Sequence, residues 1–180
     1  MEKKVALIIG AGDSLGSSVA RVFANDGYSI VVARRNGSEL DKLKKEIESK
    51  NGECHSYSLD ARKEEDVIKF VEKIEHDIGP ISVAVYNIGA NIRYNILETT
   101  SRKYFKVWEM AAFGAFLMGR EVAKHMVPRK EGTIIFTGAT ASIRGKEGFA
   151  AFAGAKHAKR ALAQSMAREL GPKGIHVAHI

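Results

Sequence analysis

The most constraining feature of this chain is the alternation, from end to end, of short apolar runs with longer segments of helical periodicity. The apolar runs are rich in β-branched residues and are bounded by glycine or aspartate, a pattern typical of buried strands. Strands that alternate with helices favour a parallel sheet covered by helices on both faces. We therefore predict one doubly wound α/β domain over residues 1–180.

The pattern predicts six strands and five helices. The strands are expected at residues 5–9, 29–33, 54–59, 81–87, 133–137 and 175–180. The helices are expected at residues 15–25, 38–49, 64–76, 101–126 and 150–170. Ser38 with Asp41, and Thr100, have the polar side chains that favour helix N-caps. Gly27, Gly52, Gly79 and Gly171 are expected to end helices.

Composition limits the classes of function. The net charge of +7 comes from 28 basic and 21 acidic residues that are spread along amphipathic segments. Because the chain has no basic run interleaved with aromatic residues, we predict a solvated surface and no nucleic-acid site. An anionic cofactor is a second explanation for the positive charge. No metal site is predicted.

Membrane association and disulfide formation are not expected either. No segment approaches the roughly 18 apolar residues that a transmembrane helix needs. The only cysteine, Cys54, cannot form an internal disulfide, which fits a reducing compartment. The cytoplasm is the expected location.

A glycine-rich turn, Gly10-Ala11-Gly12-Asp13-Ser14-Leu15-Gly16, joins the first strand to the first helix. In that position backbone amides and the helix N-terminus can face a pyrophosphate, and small residues allow close approach. A simple tight turn is the alternative. The position straight after an apolar strand and before a helix favours dinucleotide binding.

The end of the second strand carries Arg34 and Arg35, where NAD-binding sites usually have an acidic residue. A guanidinium can pair with the 2′-phosphate of NADP through its forked donors. We therefore expect NADP(H) to be favoured over NAD(H). Two ordinary surface arginines are the alternative.

With these motifs, the chain resembles the short-chain dehydrogenase/reductase family over nearly its whole length. The family's TGxxxGxG turn corresponds to residues 9–16, with Ile9 and Ser14 replacing a threonine and a glycine. Asp60 matches an aspartate that contacts adenine in the family, although it could instead cap the next helix. Asn87 and Gly89 match the family's NNAG signature, although Asn87 could simply brace the sheet.

The resemblance implies a Rossmann-type fold and a cofactor site. The implied cofactor-binding residues are Gly10, Gly12, Asp13, Ser14, Leu15, Gly16, Arg34, Arg35, Asp60, Ala61, Asn87, Ile88, Gly89 and Lys156.

The family's catalytic set of Asn, Ser, Tyr and Lys is largely replaced. Its YxxxK motif falls on Phe152 and Lys156, so the lysine is present and the tyrosine is not. The serine and asparagine positions are Ala139 and Ala111. Phenylalanine cannot exchange a proton with a substrate, and alanine cannot stabilise an oxyanion. The usual mechanism should be impaired, whereas cofactor binding should survive, with Lys156 as the remaining catalytic residue.

Two functions stay open at this point. One is an NADP(H)-linked oxidoreductase that acts on a carbonyl or alcohol and uses an unusual proton donor. The other is a non-catalytic NADP(H)-binding protein that acts as a sensor or subunit partner. Tyr94, Thr140 and Ser142 are conceivable substitutes for the missing groups, but ordinary loop roles are favoured for them.

The resemblance also bears on assembly and completeness. The fourth helix is apolar around much of its circumference, and in the family this helix and the last one form a subunit interface. A homodimer or homotetramer is therefore implied, with burial inside the chain as the alternative. Family members continue into a substrate-covering region and a seventh strand, so we expect this chain to be a fragment without them, and no substrate is predicted.

Overall fold

The six apolar runs form one parallel sheet with the strand order β3-β2-β1-β4-β5-β6. The computed structural model describes residues 4–180. The strands are β1 Val5–Ile9, β2 Ser29–Arg34, β3 Cys54–Ser58, β4 Ile81–Tyr86, β5 Gly132–Phe136 and β6 Ile175–His179. All six predicted strands are confirmed, with ends that differ from the prediction by at most one residue.

Helices cover both faces of the sheet. They are α1 Leu15–Asn25, α2 Asp41–Glu48, α3 Glu64–Asp77, α4 Ser101–Trp108, α5 Gly114–Arg129 and α6 Ala150–Leu170. Short 3₁₀ turns lie at Gly37–Leu40, Ile96–Glu98, Thr140–Ser142 and Gly171–Lys173. The doubly wound fold class is therefore confirmed.

The sheet separates two apolar clusters, and alternate residues of β1 belong to different ones. Ala6 and Ile8 pack with residues of α1 and α2. Val5, Leu7 and Ile9 pack on the opposite face with residues of α3, α5 and α6. Since successive side chains of a strand point to opposite faces, a strand covered on both sides must be apolar throughout.

The fourth predicted helix is present, but the prediction of an α-helix throughout is wrong, because five of its residues are π-helical. A π-helical turn at Glu109–Phe113 separates α4 from α5, and α5 continues to Arg129, past the predicted end at residue 126. The Tyr86 hydroxyl donates a hydrogen bond of 2.6 Å to the Met110 carbonyl. A wide turn leaves carbonyls without their usual helical donors, and a side chain from β4 satisfies this one.

One of the two N-cap predictions is wrong. Ser38 lies inside the turn Gly37–Leu40, and its hydroxyl donates to Asn36 Oδ1 at 2.8 Å. Consequently α2 begins only at Asp41. Thr100 does cap α4, because its hydroxyl accepts a hydrogen bond from the Lys103 amide at 3.3 Å.

No helix within residues 4–180 is both long and apolar enough to cross a bilayer. The same residues contain no cluster of three or more His, Cys, Asp or Glu side chains suited to a metal ion.

Candidate dinucleotide-binding site

A groove of about 500 Å³, open to solvent, lies at the edge of the sheet where the strands end. It forms where β1 has β2 on one side and β4 on the other, which is the usual binding position in open α/β sheets. The lining residues are Gly10, Gly12, Arg34, Arg35, Asn36, Glu39, Asp60, Ala61, Arg62, Asn87, Ile88, Gly89 and Met110. Most of the predicted cofactor-binding residues are therefore brought together.

The floor of the groove is the turn after β1. Gly10 has a φ of +91°, and a Cβ there would lie 2.9 Å from the Asn87 carbonyl carbon, so only glycine fits. The Asn87 side-chain amide donates to the Gly10 carbonyl at 3.0 Å and braces the turn. A Cβ on Gly12 would meet nothing within 4 Å, so the outer side of the turn is open.

The rest of the glycine-rich segment, Asp13 to Gly16, does not line the groove. Gly16 packs inward, since a Cβ there would lie 2.7 Å from Ala11 Cα. Asp13, Ser14 and Leu15 are exposed. Their backbone nevertheless starts α1, whose first turn has no acidic residue and no side-chain cap. Free amides at a helix N-terminus favour an anion, so the turn fits a pyrophosphate.

Positive charge at the rim comes from the end of β2. The Arg34 guanidinium forms an ion pair with Glu39 and lies 4.0 Å from the Asp13 carboxylate. Arg35 is exposed and, within residues 4–180, takes part in no ion pair. The end of β2 thus presents two guanidiniums to the groove, one of which is partly neutralised by Glu39.

Asp60, which matches the family's adenine-contacting aspartate, forms an ion pair with Arg62. Arg62 donates to both carboxylate oxygens, with Nε 2.8 Å from Oδ1 and Nη2 2.6 Å from Oδ2. These hydrogen bonds lower the pKa of Asp60, so the carboxylate is ionised at neutral pH. Asp60 does not act simply as a helix cap, because α3 begins four residues later, at Glu64.

The position of the missing tyrosine is apolar. Phe152 is buried in a cluster with Ala111, Ala112, Ala151 and Ala155. Ala111 lies in the π-helical turn. No hydroxyl or amide of the family's set therefore remains at these two positions.

The loop after β5 does not supply an obvious substitute. Ala139 is exposed, and its amide donates to the buried Ser142 hydroxyl at 3.1 Å. Thr140 is exposed in the same turn. The Tyr94 ring lies on a different loop and is covered by the Lys103 ammonium, 4.5 Å from its centroid.

Lys156 lies behind the groove and does not line it. Its side chain is 4% exposed, and Nζ donates to the Thr137 carbonyl at 3.0 Å and the Gly138 carbonyl at 3.2 Å. Nζ is also 3.7 Å from the point that a Cβ on Gly89 would occupy. Because Gly89 lines the groove, only a residue without a side chain separates Lys156 from it.

Sequence reasoning missed several groove residues, namely Asn36, Glu39, Arg62 and Met110. It also missed Lys159, a second fully buried lysine. The signal for Lys159 was its spacing of three residues from Lys156, which puts both side chains on one face of a helix.

Comparison with known proteins places the chain in a family. The model of the short chain dehydrogenase family matches residues 4–180. A crystal structure of a short-chain dehydrogenase from Rhodopseudomonas palustris is 51% identical with a TM-score of 0.94, and the match covers 98% of this chain and 82% of that one.

Two further relatives are more distant. The diacetyl reductase [(S)-acetoin forming] of Staphylococcus epidermidis is 30% identical over 97% of this chain and 68% of the relative. The crystal structure of NAD⁺-bound xylitol dehydrogenase is 29% identical with a TM-score of 0.94, over 99% of this chain and 69% of that one. The chain spans about two thirds of the length of the curated relatives that it matches. It belongs to the short-chain dehydrogenase family, whose members are oxidoreductases that bind nicotinamide cofactors.

Proposed function

We propose that this protein is an NADP(H)-linked oxidoreductase that transfers a hydride between the nicotinamide and a small carbonyl or alcohol substrate. We further propose that residues 1–180 act as one dinucleotide-binding domain. The observation that carries the proposal is the groove, which joins the open glycine turn at Gly12, two arginines and the brace from Asn87 at one edge of the sheet.

The preference for NADP(H) depends on the rim of the groove. Arg35 is free to pair with a 2′-phosphate, whereas Arg34 must exchange its bond to Glu39 for one to the phosphate. The xylitol dehydrogenase relative was crystallised with NAD⁺, so membership of the family does not decide the preference. The two guanidiniums are what favour the phosphorylated cofactor here.

Fluorescence titration with NADPH and NADH tests this proposal. We expect NADPH to bind about tenfold more tightly or better, which corresponds to at least about 1.4 kcal/mol. Arg35→Gln should weaken NADPH binding and leave NADH binding unchanged. Arg168→Gln is the matched control, because Arg168 is exposed near the end of α6, where the chain leads to the opposite edge of the sheet. Equal binding of both cofactors would contradict the preference, and binding of neither would contradict the function.

A non-catalytic cofactor-binding protein is the second candidate. Its specific support is the burial of Phe152 among alanines, which leaves no hydroxyl at the position from which the family donates a proton. On this alternative the groove would still bind NADP(H), and the bound state would serve as a signal or as a subunit contact.

A double variant separates the two candidates. Phe152→Tyr combined with Ala139→Ser restores the donor and the oxyanion partner of the family, each worth roughly 10²-fold or more in rate. Diacetyl with NADPH, and xylitol with NADP⁺, are suitable probes. If the native chain turns over as fast as the double variant, the non-catalytic candidate is excluded; turnover by the double variant alone would support it.

We also propose that the protein is a homodimer or homotetramer. Most of the apolar surface of α5 is buried inside the chain, including Ala115, Leu117 and Met118, so only part of this helix is left for a partner. What remains exposed is an apolar depression between α5 and α6 lined partly by Phe116 and Leu162. This depression supports a second copy as the partner.

A further inference from the structure

Two lysines on α6 are buried side by side behind the groove. Lys156 is 4% exposed and Lys159 is fully buried. Lys156 Nζ bonds the carbonyls of Thr137 and Gly138 after β5, and Lys159 Nζ donates to the Ile88 carbonyl after β4 at 3.3 Å. Within residues 4–180, neither nitrogen is paired with a carboxylate. Burial of two ammonium groups without a counter-charge is strongly unfavourable.

Unequal hydrogen bonding shows how the pair avoids that cost. Lys156 and Lys159 are three residues apart on α6, so both side chains lie on the same face of the helix. Two backbone carbonyls accept from Lys156 Nζ, whereas one accepts from Lys159 Nζ, so the ammonium form is better supported at Lys156. Because two adjacent buried charges repel each other, Lys156 carries the proton at neutral pH and Lys159 is the neutral amine.

The surroundings favour this protonation state. Burial and the nearby positive charge of Lys156 lower the pKa of Lys159 to about 6. Burial also lowers the pKa of Lys156. From β6, His179 faces the pair, and its own pKa is lowered by burial and by both lysines, so it adds no charge at neutral pH. From β4, the Tyr86 ring lies 5.4 Å from Lys159 Nζ.

The pair lies next to the position of the missing hydroxyl. Lys156 Nζ is 5.6 Å from the centroid of the Phe152 ring. A Cβ on Gly89, at the wall of the groove, would be 3.7 Å from Lys156 Nζ and 3.8 Å from Phe152 Cε2. The Lys156 ammonium thus lies beside the space that Phe152 leaves without a donor.

We propose that Lys156 is the proton donor for carbonyl reduction in this protein, and that Lys159 is a positioning residue that holds the shared proton. This inference rests on the proposed oxidoreductase function. With a reduced nicotinamide cofactor bound in the groove, the cofactor would supply the hydride for the new C–H bond. The carbonyl π electrons would take a proton from Lys156 as its N–H bond breaks, and the lysine pair, left neutral, would regain one proton from solvent. In alcohol oxidation the deprotonated Lys156 amine would accept the hydroxyl proton, and the oxidised cofactor would take the hydride.

The first test measures the shared proton without any turnover. In the chain labelled with ¹³C at lysine Cε, we expect one lysine NMR signal to titrate near pH 6 and to be absent from Lys159→Met. Lys173→Met is the matched control, because Lys173 is exposed in the turn that precedes β6, at the opposite edge of the sheet. Absence of a titration near pH 6 in the native chain would overturn the proposal, whatever the activity.

The second test measures the rate. With diacetyl and NADPH, Lys156→Met should lower kcat by about 10²-fold or more, the usual worth of a general acid. Lys159→Met should remove the inflection near pH 6 from the profile of kcat/KM while the Kd for NADPH stays unchanged.

The outcomes of the second test differ for the two proposals. Unchanged kcat in Lys156→Met would overturn the donor role and leave the oxidoreductase function intact. Binding of NADPH without turnover of diacetyl or xylitol by the native chain would overturn both.

Discussion

Glu39 reaches back to the Arg34 guanidinium and forms an ion pair with it at the rim of the groove. The 3₁₀ turn Gly37–Leu40 is separated from the end of β2 by two residues and brings the Glu39 carboxylate back to the end of that strand. The same turn is held to β3 by a hydrogen bond of 3.0 Å from the Gly37 amide to the Ser58 hydroxyl. Arg34, one arginine of the proposed 2′-phosphate site, is thus paired with Glu39 and must break that ion pair to bind a phosphate.

Removal of the Glu39 charge should release Arg34. We expect Glu39→Gln to lower the Kd for NADPH several-fold, because a partly exposed ion pair of this kind is worth about 0.2–1 kcal/mol and no longer opposes the phosphate. The Kd for NADH should not change. Fluorescence titration measures both, with Glu169→Gln, an exposed acid near the end of α6, as the control. Equal changes for both cofactors would show that Glu39 does not contact the 2′-phosphate position.

Gly12 tests where the pyrophosphate lies. A methyl group on Gly12 meets no protein atom within 4 Å, so Gly12→Ala should change the free energy of unfolding by less than about 0.5 kcal/mol. The same methyl group would fill the space above the turn and weaken the binding of both cofactors by about tenfold or more, since the backbone could no longer approach the phosphates. Unfolding by urea and cofactor titration measure the two effects separately.

Two other glycines act as controls for that experiment. Gly145→Ala also adds a methyl group to open space, but on a loop outside the groove, and should change neither quantity. Gly16→Ala places a methyl group 2.7 Å from Ala11 Cα and should destabilise the fold by about 1–3 kcal/mol. If Gly12→Ala binds both cofactors like the native chain, the open side of the turn is not the phosphate site.

The fold could be predicted from the sequence because the patterns that indicate its strands and turns involve residues close together in the chain. β1 is an uninterrupted apolar run and is buried along its whole length. The turn after it needs a glycine at Gly10, where φ is positive, and a glycine at Gly16, where α1 packs on the turn. Such requirements involve residues that are close in the sequence, so the sequence pattern indicates them.

The corrections and omissions depend on contacts between distant residues. The π-helical turn is matched to Tyr86, which lies 24 residues before its acceptor, Met110. Arg62 lines the groove because it pairs with Asp60. Both residues lie on a loop, and the sequence pattern does not predict the course of that loop. Lys159 resembles a surface lysine in the sequence, and its burial depends on the end of β4, where Tyr86 and the Ile88 carbonyl lie against it.

The buried Lys159 should make stability depend on pH. Its pKa is about 6 in the folded chain and near the ordinary 10.5 after unfolding, so between these values only the unfolded state binds the proton. Stability therefore rises with pH through this window, with a slope of up to about 1.4 kcal/mol per pH unit. Lys159→Met removes this dependence, so the variant should gain stability over the native chain as the pH falls from 9 to about 6.5.

Urea unfolding at several pH values measures this difference. Lys173→Met, which replaces an exposed lysine, should keep a constant offset from the native chain over the same range. Parallel curves for Lys159→Met and the native chain would mean that Lys159 remains charged in the folded state.

A row of aromatic rings marks the surface on which a second copy is proposed to bind. Phe105 and Trp108 lie 5.9 Å apart, Phe113 stacks on Trp108, and Phe116 stacks on Phe113 at 6.2 Å. Phe116 is 38% exposed at the edge of the depression between α5 and α6. Exposed aromatic side chains beside an apolar depression are typical of protein interfaces.

A charge at Phe116 should prevent self-association. Because burial of an unpaired carboxylate in an apolar interface is costly, we expect Phe116→Glu to shift the sedimentation coefficient to that of a single chain at micromolar concentration. Val22→Glu adds the same charge at another apolar side chain, 58% exposed on α1, and should leave the assembly unchanged. NADPH binding should persist in both variants, since neither residue lines the groove. An unchanged assembly in Phe116→Glu, or a native chain that sediments as a single copy, would exclude this surface as the interface.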